Sequence, residues 1–370
     1  MGADVIVIGA GIHGCSVAMQ LAERGAKVVV VEKTAPAAHA SGANAGSIHH
    51  IARLVPELPL AEFALSIWHR MAEIVGDDCG FRPVGHLKIA ESEEDMEILG
   101  DMCEAAADAC CIREDILGQE QLRRLEPHLA PHCVGGVYSP DCGYALPAHT
   151  VDAMRRRAEE RGVRFVFGQA VREIRRGSSD WLALADRDRF AAPVLVNCAG
   201  AWGDRLARQA GDAIELTPLA LQMAVLGRMP RVMNTVIGLT RRLLSIKQFG
   251  NGTVVIGGGY RGKPDLESGT SELDMARSAY NVKAAVETFP ILARGQVVRC
   301  WTGIEGRSPD GLPIIGPGRG EEGIWHAFGF STHGFYLGPA VGILLADLIT
   351  GRAPAVTLSP FDIGRFTAMA

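Results

Sequence analysis

Residues 4–32 limit the possible folds of this chain more than any other stretch. Asp4-Val5-Ile6-Val7-Ile8 is a run of β-branched apolar residues, the pattern of a strand buried on both faces. Gly9-Ala10-Gly11-Ile12-His13-Gly14 follows at once. A helical pattern then runs through Ala18, Leu21 and Ala22 and stops at Gly25. Lys27 to Val31 reads as a second strand, and it ends on Glu32. Strand, glycine turn, helix and strand together form a dinucleotide-binding unit. Gly9 permits the tight turn, Gly11 lets the backbone approach a pyrophosphate, and Gly14 lets helix and strand pack closely. The helix start offers free N–H groups and a positive dipole to phosphates. Glu32 is placed to accept hydrogen bonds from adenosine ribose hydroxyls. A glycine-rich turn alone is a weak signal, and the complete unit leaves a purely structural turn as the minor alternative. The unit suits FAD and NAD alike.

Bulk composition removes several function classes. The chain has 370 residues, more than one core usually organises, which predicts two lobes. A formal charge of −5 with neither sign gathered into runs is not a nucleic-acid footprint. Val5 to Ile12 has no cationic region before it and is broken by glycines, unlike a signal peptide. The apolar run Leu337 to Ala346 contains Gly338, Pro339 and Gly342 and stops at Asp347, so no membrane span is expected. Nine cysteines without a CxxC pair argue against a disulfide framework, a structural zinc site or an iron–sulfur cluster. No metal is expected, and the expected compartment is the reducing cytoplasm.

Further along, Ser41-Gly42-Ala43-Asn44-Ala45-Gly46-Ser47-Ile48-His49 is rich in small polar residues. Its amides can reach a long dinucleotide past its pyrophosphate, and a plain surface loop fits the composition equally well. Gly85 to Ala90 alternates like a strand, and Glu93 to Cys110 reads as a helix. Arg164 to Val171 reads as a strand, and Gly177 to Asp180 as a turn into the strand Trp181 to Ala185. Pro193 to Asn197 is a buried strand entering Cys198-Ala199-Gly200-Ala201-Trp202-Gly203, again the place where an open α/β sheet holds a nucleotide. Gly252 to Gly259 and Arg299 to Thr302 suggest strands of a second lobe. Trp301 to Gly316 is dense in turn residues around the acid Glu305. Gly329 to Pro339 leads into an apolar helix running to about Ile349. A helix opening there aims its positive end at a ring that gains negative charge on reduction, as a flavin does. Taken singly, His333 also fits a satisfied buried histidine, and Phe328, Phe330 and Phe335 fit simple core.

The blocks Gly9 to Glu32, Ser41 to His49, Asn197 to Trp202, Trp301 to Gly316 and Gly329 to Pro339 stand in one order and spacing. Along essentially its whole length the chain resembles the D-amino-acid oxidase-like flavoproteins. It is most similar to the FAD-bearing β subunits of heteromeric bacterial dehydrogenases, such as those acting on D-hydroxyproline, opines and sarcosine. The resemblance implies an α/β fold: a Rossmann-like FAD domain assembled from residues 1–80, 145–212 and 310–370. An α+β substrate domain with a mixed or antiparallel sheet would comprise 81–144 and 213–309. It implies non-covalent FAD held by Gly9, Gly11, Gly14, Glu32, Ser41, Asn44, Ala45, Gly46, Val171, Gly200, Trp202 and Gly334. It also implies hydride removal from the carbon beside an amine nitrogen, the flavin carrying the chemistry and the protein orienting it.

One departure bears on the substrate. Small amino-acid oxidases carry a carboxylate-clamping arginine after Trp-x-Gly. Here Glu305 stands in that place, with Arg307 two residues on. An acid there repels a carboxylate and suits an ammonium or a guanidinium, so hydroxyproline-like or opine-like substrates are expected over glycine and plain D-amino acids. Carboxylate recognition then falls to Arg307, Lys247 or His49, while His333 and Glu305 are the groups expected near the ring. Other subunits of a dehydrogenase are the expected partners, with a non-catalytic electron-transferring subunit or an oxygen-using oxidase as alternatives. Pro147-Ala148-His149 falls where the sarcosine enzyme's β subunit attaches a second flavin, but the local match is poor and an exposed loop histidine is expected.

Overall fold

The computed structural model describes residues 2–51 and 53–369. The opening unit forms as expected, with strand Val5–Ile8, helix Ile12–Glu23 and strand Val28–Val31. Every residue of both strands is buried, because each face of their sheet is covered. Val5, Val7, Val28 and Val30 share a core with helices Ile12–Glu23, Pro147–Glu160 and Gly334–Ile349. Ile6, Ile8, Val29 and Val31 point the other way, onto Ile174, Trp181 and Phe190 of a three-stranded antiparallel sheet. Period-two alternation thus divides one apolar run between two cores.

The nucleotide-type sheet has six strands in the order Arg164–Val166, Val28–Val31, Val5–Ile8, Val194–Asn197, Ile324–Phe328 and Ile314–Pro317. All pairings are parallel except the last. Chain order reverses across Val5–Ile8, so a crevice opens beyond the carboxyl ends of the central strands.

A second sheet has eight strands, ordered Val297–Arg307, Thr217–Leu226, Val254–Gly257, Ser245–Gln248, Val236–Leu239, His86–Ala90, Gly135–Ser139 and Asp115–Gly118. It is antiparallel except where His86–Ala90 meets Val236–Leu239, which makes it the expected mixed sheet. One face carries Leu87, Ile89, Ile237, Ile246, Val254 and Ile256, packed against Ala284, Ala285 and Phe289. The opposite face mixes His86, Lys88 and Lys247 with Leu221, Met223 and Trp301, and it meets residues 39–49 through Trp301, which donates to the Ala43 carbonyl at 2.9 Å.

Three local expectations change. Arg164 to Val171 divides into Arg164–Val166 and Val171–Arg176, because Gly168 takes a positive φ of 68° between them. The turn-rich stretch after Trp301 is strand as far as Arg307, since its glycines sit in a continuous ladder with Thr217–Leu226. His149 is exposed, but it lies in the first turn of helix Pro147–Glu160 rather than in a loop, and it meets Asp77 at 2.8 Å. Among the described residues no helix is long and apolar enough to cross a membrane. No group of three or more potential metal ligands converges there either.

Candidate functional site

The crevice is a cavity of about 480 Å³, within the usual range for small-molecule and cofactor sites. Gly9, Gly11, Glu32, Ser41, Asn44, Val171, Gly200, Trp202, Glu305 and Gly334 all line it. Segments separated by hundreds of residues in sequence therefore meet around one elongated space. The glycine turn is shaped by exclusion. Gly9 has φ +103°, and a Cβ there would stand 2.4 Å from the Cys198 carbonyl oxygen. Gly14 lies behind the cavity wall, where a Cβ would come within 1.9 Å of the Gly9 carbonyl oxygen. That contact is the close helix–strand packing which the third glycine exists to permit.

Glu32 is buried at the end of its strand and already holds the turn. Its carboxylate accepts from the Ala10 N–H at 2.8 Å and from the Thr34 N–H at 2.9 Å. Oε1 also accepts from the Thr34 hydroxyl at 3.2 Å, and Oε2 keeps further acceptor capacity for a ribose hydroxyl. Ser41 accepts from the Ile12 N–H at 3.0 Å, tying the small-residue segment to the helix start. Asn44 folds that segment: its amide donates to Ala40 and Ser41 carbonyls at 2.9 Å each, and its carbonyl accepts from Gly46 N–H at 2.7 Å. Ala45 and Gly46 continue the segment toward the eight-stranded sheet, where a Cβ on Gly257 would stand 3.8 Å from that of Ala45. At the other end Trp202 donates to the Leu266 carbonyl at 2.9 Å, and the Lys33 ammonium lies 2.8 Å from its ring centroid. Burial lowers the Lys33 pKa to about 8.

Among the described residues three side chains facing the cavity, His13, His39 and Glu305, carry a buried polar atom without a partner. His13 stacks on Phe330 at 3.6 Å, its Nε2 is unpartnered, and burial drops its pKa to about 3. Glu305 also has an unpartnered buried Oε1, and burial raises its carboxyl to about 7 against a small opposing pull from Arg261. Arg307 shares a face with Glu305 but is exposed at the strand end and bridges Phe330. No Glu305–Arg307 ion pair forms.

His333 does not line the cavity. It stands at the N-cap of helix Gly334–Ile349, and its Nδ1 lies 2.8 Å from Glu57 Oε2. Burial, helped by the Arg53 charge, lowers the His333 pKa below the usual imidazole value, so Nδ1–H donates to the carboxylate. Burial alone would raise Glu57, but the His333 bond and Arg53 outweigh it and hold the acid ionised. Just before this cap, Ser331 and Thr332 take φ of 50° and 79°. Left-handed non-glycine residues carry strain of about 1–3 kcal/mol each and concentrate at functional sites. Ser331 is pinned through its hydroxyl to the Ser308 N–H at 3.1 Å.

His49 and Lys247 lie away from the residues lining the cavity, against the opposite face of the eight-stranded sheet. His49 stacks on His86 at 4.0 Å, and Lys247 donates to Ser47 Oγ at 2.8 Å. His13, Arg53, Glu57, His86 and Lys88 escaped the sequence reading. For His86 and Lys88 the signal was available, because His86-Leu87-Lys88-Ile89 alternates polar and apolar residues along a strand otherwise deep in the protein.

Residues 4–348 match the family described as FAD dependent oxidoreductase. The chain is 26% identical to glycine oxidase from Geobacillus kaustophilus over 98% of its own length and 97% of that protein. It is 28% identical to hydrogen cyanide synthase subunit HcnC from Pseudomonas aeruginosa, over 98% of this chain and 96% of the relative. The crystal structure of the Geobacillus glycine oxidase superposes with a TM-score of 0.90 at 24% identity, covering 98% of each chain. The expected D-amino-acid oxidase-like family, α/β fold and FAD dependence are all borne out. The glycine cradle, the buried acid at the strand end and the length of the cavity fit such a dinucleotide. This chain belongs to the DAO family of FAD-dependent oxidoreductases and has the fold of glycine oxidase.

Proposed function

We propose that this enzyme oxidises the C–N bond of an amino or imino acid of the hydroxyproline or opine type, as the FAD-bearing subunit of a heteromeric dehydrogenase. In this reading residues 1–80, 145–212 and 310–370 carry the cofactor, and residues 81–144 and 213–309 present the substrate. Gly9, Gly11, Glu32, Ser41, Asn44, Val171, Gly200, Trp202 and Gly334 hold FAD without a covalent bond, with Gly14, Ala45 and Gly46 shaping the cradle. Bound FAD supplies a hydride acceptor.

The observation that carries the substrate reading is Glu305, a cavity-lining acid whose buried Oε1 has no partner. Such a group lacks a hydrogen-bond donor, and a substrate ammonium or guanidinium provides one. The same acid disfavours a carboxylate at that spot, which argues against glycine as the preferred substrate. His333 acts as a positioning residue: its bond to Glu57 fixes the start of the helix whose first residue lines the cavity. The subunit reading is supported by the likeness to a protein that is itself named a synthase subunit.

Anaerobic mixing of the purified flavoprotein with a substrate panel tests this. Cyclic imino acids or N-carboxyalkyl amino acids should bleach the flavin well below the concentrations that glycine or plain D-amino acids require. Bleaching by glycine or D-alanine at equal or lower concentrations would overturn the proposal. Fast turnover with oxygen by the single chain would remove its heteromeric part.

A further inference from the structure

The second lobe sends one segment into the crevice of the cofactor. Lys263–Asp265 and Thr270–Glu272 pair antiparallel as a hairpin of their own, outside both large sheets. Its root is fixed to strand Thr217–Leu226. The Gly262 N–H donates to the Ala220 carbonyl at 2.8 Å. The Gln222 side chain accepts from the Asp274 N–H at 2.6 Å and donates to the Asp274 carbonyl at 3.2 Å. The tip is Leu266-Glu267-Ser268-Gly269, and all four residues line the cavity. It stands at the ribose end: a Cβ on Gly269 would lie 3.7 Å from the Lys33 ammonium, and Lys33 follows the ribose acid Glu32.

The tip holds its own shape. The Asp265 carboxylate accepts from the Glu267 N–H at 2.9 Å, the Ser268 N–H at 3.3 Å and the Ser268 hydroxyl at 2.8 Å, and Gly269 takes a φ of +68°. Leu266 and Gly269 are half-buried while Glu267 and Ser268 are exposed, so the tip adds little to a core. Among the described residues two hydrogen bonds carry it across to the nucleotide-binding lobe. Trp202 donates to the Leu266 carbonyl at 2.9 Å, and Arg205 donates to the Glu267 carboxylate at 2.6 Å. The second is a surface ion pair, its side chains 45% and 82% exposed, and such pairs are weak. Trp202 and Arg205 line the same cavity. A preorganised strap with a weak latch closes a site and still lets its occupant leave.

We infer that residues 266–269 belong to the FAD site, as a clasp that the second lobe closes over the adenosine end of the cofactor and latches through Trp202 and Arg205. Both lobes line the cavity beneath it, so FAD leaves when the latch opens and the fold stays intact. Retention of the cofactor then depends on a segment far from the glycine cradle in sequence. The inference rests on FAD dependence alone and holds whichever amine is oxidised.

Two variants test the clasp. Joining Asp265 to Thr270 through a two-residue Asn-Gly turn, in place of residues 266–269, keeps the hairpin and removes its tip. Asp265→Ala keeps every tip residue and loosens the tip. FAD release from the holoenzyme is timed with a phosphodiesterase that cleaves only free FAD, because the FMN it forms is brighter. The shortened hairpin should release FAD at least tenfold faster, and Asp265→Ala at least threefold faster. ADP carries the adenosine end without the flavin. In calorimetry it should bind both variant apoproteins more weakly, at least fivefold for the shortened hairpin, with the Tm of the apoprotein unchanged. Wild-type release rates in both variants would overturn the clasp. Faster release with unaltered ADP affinity would overturn its placement at the adenosine end. A Tm that falls equally with and without FAD would make the hairpin structural and overturn the clasp as well. Should the shortened chain fail to fold, release and ADP affinity in Asp265→Ala decide alone. No amine enters these measurements, so failure of the clasp and failure of the proposed substrate class are told apart.

Discussion

Replacing Glu305 by Gln keeps its shape and removes its charge, and the structure sets the size of the effect. Burial raises this carboxyl from 4.5 to about 7. At about 1.36 kcal/mol per pKa unit, ionising Glu305 in the empty site costs roughly 3–4 kcal/mol more than in water. A charge-assisted hydrogen bond from a substrate cation returns about 1.5–3 kcal/mol, enough to bring the carboxyl below 7 and hold the acid ionised at neutral pH once the substrate is bound. The sign follows from linkage. A cationic substrate selects the ionised form, so its affinity should fall about tenfold per pH unit below 7 and level off above it. Glu305→Gln should lose that slope and, above pH 7, bind more weakly by about 1.5–3 kcal/mol, roughly 10- to 150-fold. The assay is the substrate concentration giving half-maximal anaerobic flavin reduction, measured from pH 5.5 to 8.5 in both proteins. Any slope from the substrate's own amine appears in both and cancels in their ratio. A ratio that is near one and independent of pH would refute the reasoning and leave Glu305 without a part in substrate binding.

Three further outcomes follow from the cradle. Glu32→Ala removes an acceptor for ribose and frees the Ala10 N–H, so FAD affinity should drop by about 1.5–3 kcal/mol in a fluorescence titration, with circular dichroism of the apoprotein unchanged. Gly14→Ala forces a Cβ to within 1.9 Å of the Gly9 carbonyl oxygen, a backbone contact no rotamer relieves. Overpacking of this kind costs about 1–3 kcal/mol, read as a lower Tm together with weaker FAD retention, and an unchanged Tm would show that the turn can open freely. Acid precipitation should leave all yellow colour in the supernatant; colour retained in the pellet would contradict non-covalent attachment.

How much was legible in sequence depends on the range of the interaction that decides each feature. Residues 4–32 form their elements for local reasons. Apolar β-branched runs make strands, Gly9 takes a left-handed φ, and Gly25 ends the helix, also with a positive φ, of 87°. The helix toward Ile349 was readable from the same kind of signal, while the strand through Trp301 to Arg307 was not. Its glycines look like turns until the ladder with Thr217–Leu226 supplies hydrogen bonds that outweigh their low strand propensity.

Sequence alone therefore determined the dinucleotide unit, the family resemblance and the inverted charge at Glu305, because each lies in a contiguous stretch read by period and residue type. Only the tertiary structure decided which charges share a space. Glu305 and Arg307 lie two residues apart on one strand face, yet one is half-buried at the cavity and the other is exposed. His333 and Glu57 are far apart in sequence and bonded at 2.8 Å, which draws His333 away from the cavity wall. His49, His86, Lys88 and Lys247 gather from three separate segments through strand register and side-chain stacking. Register across a sheet is set by pairing between distant strands, and burial by everything packed around them, so neither could be read from the order of residues along one strand.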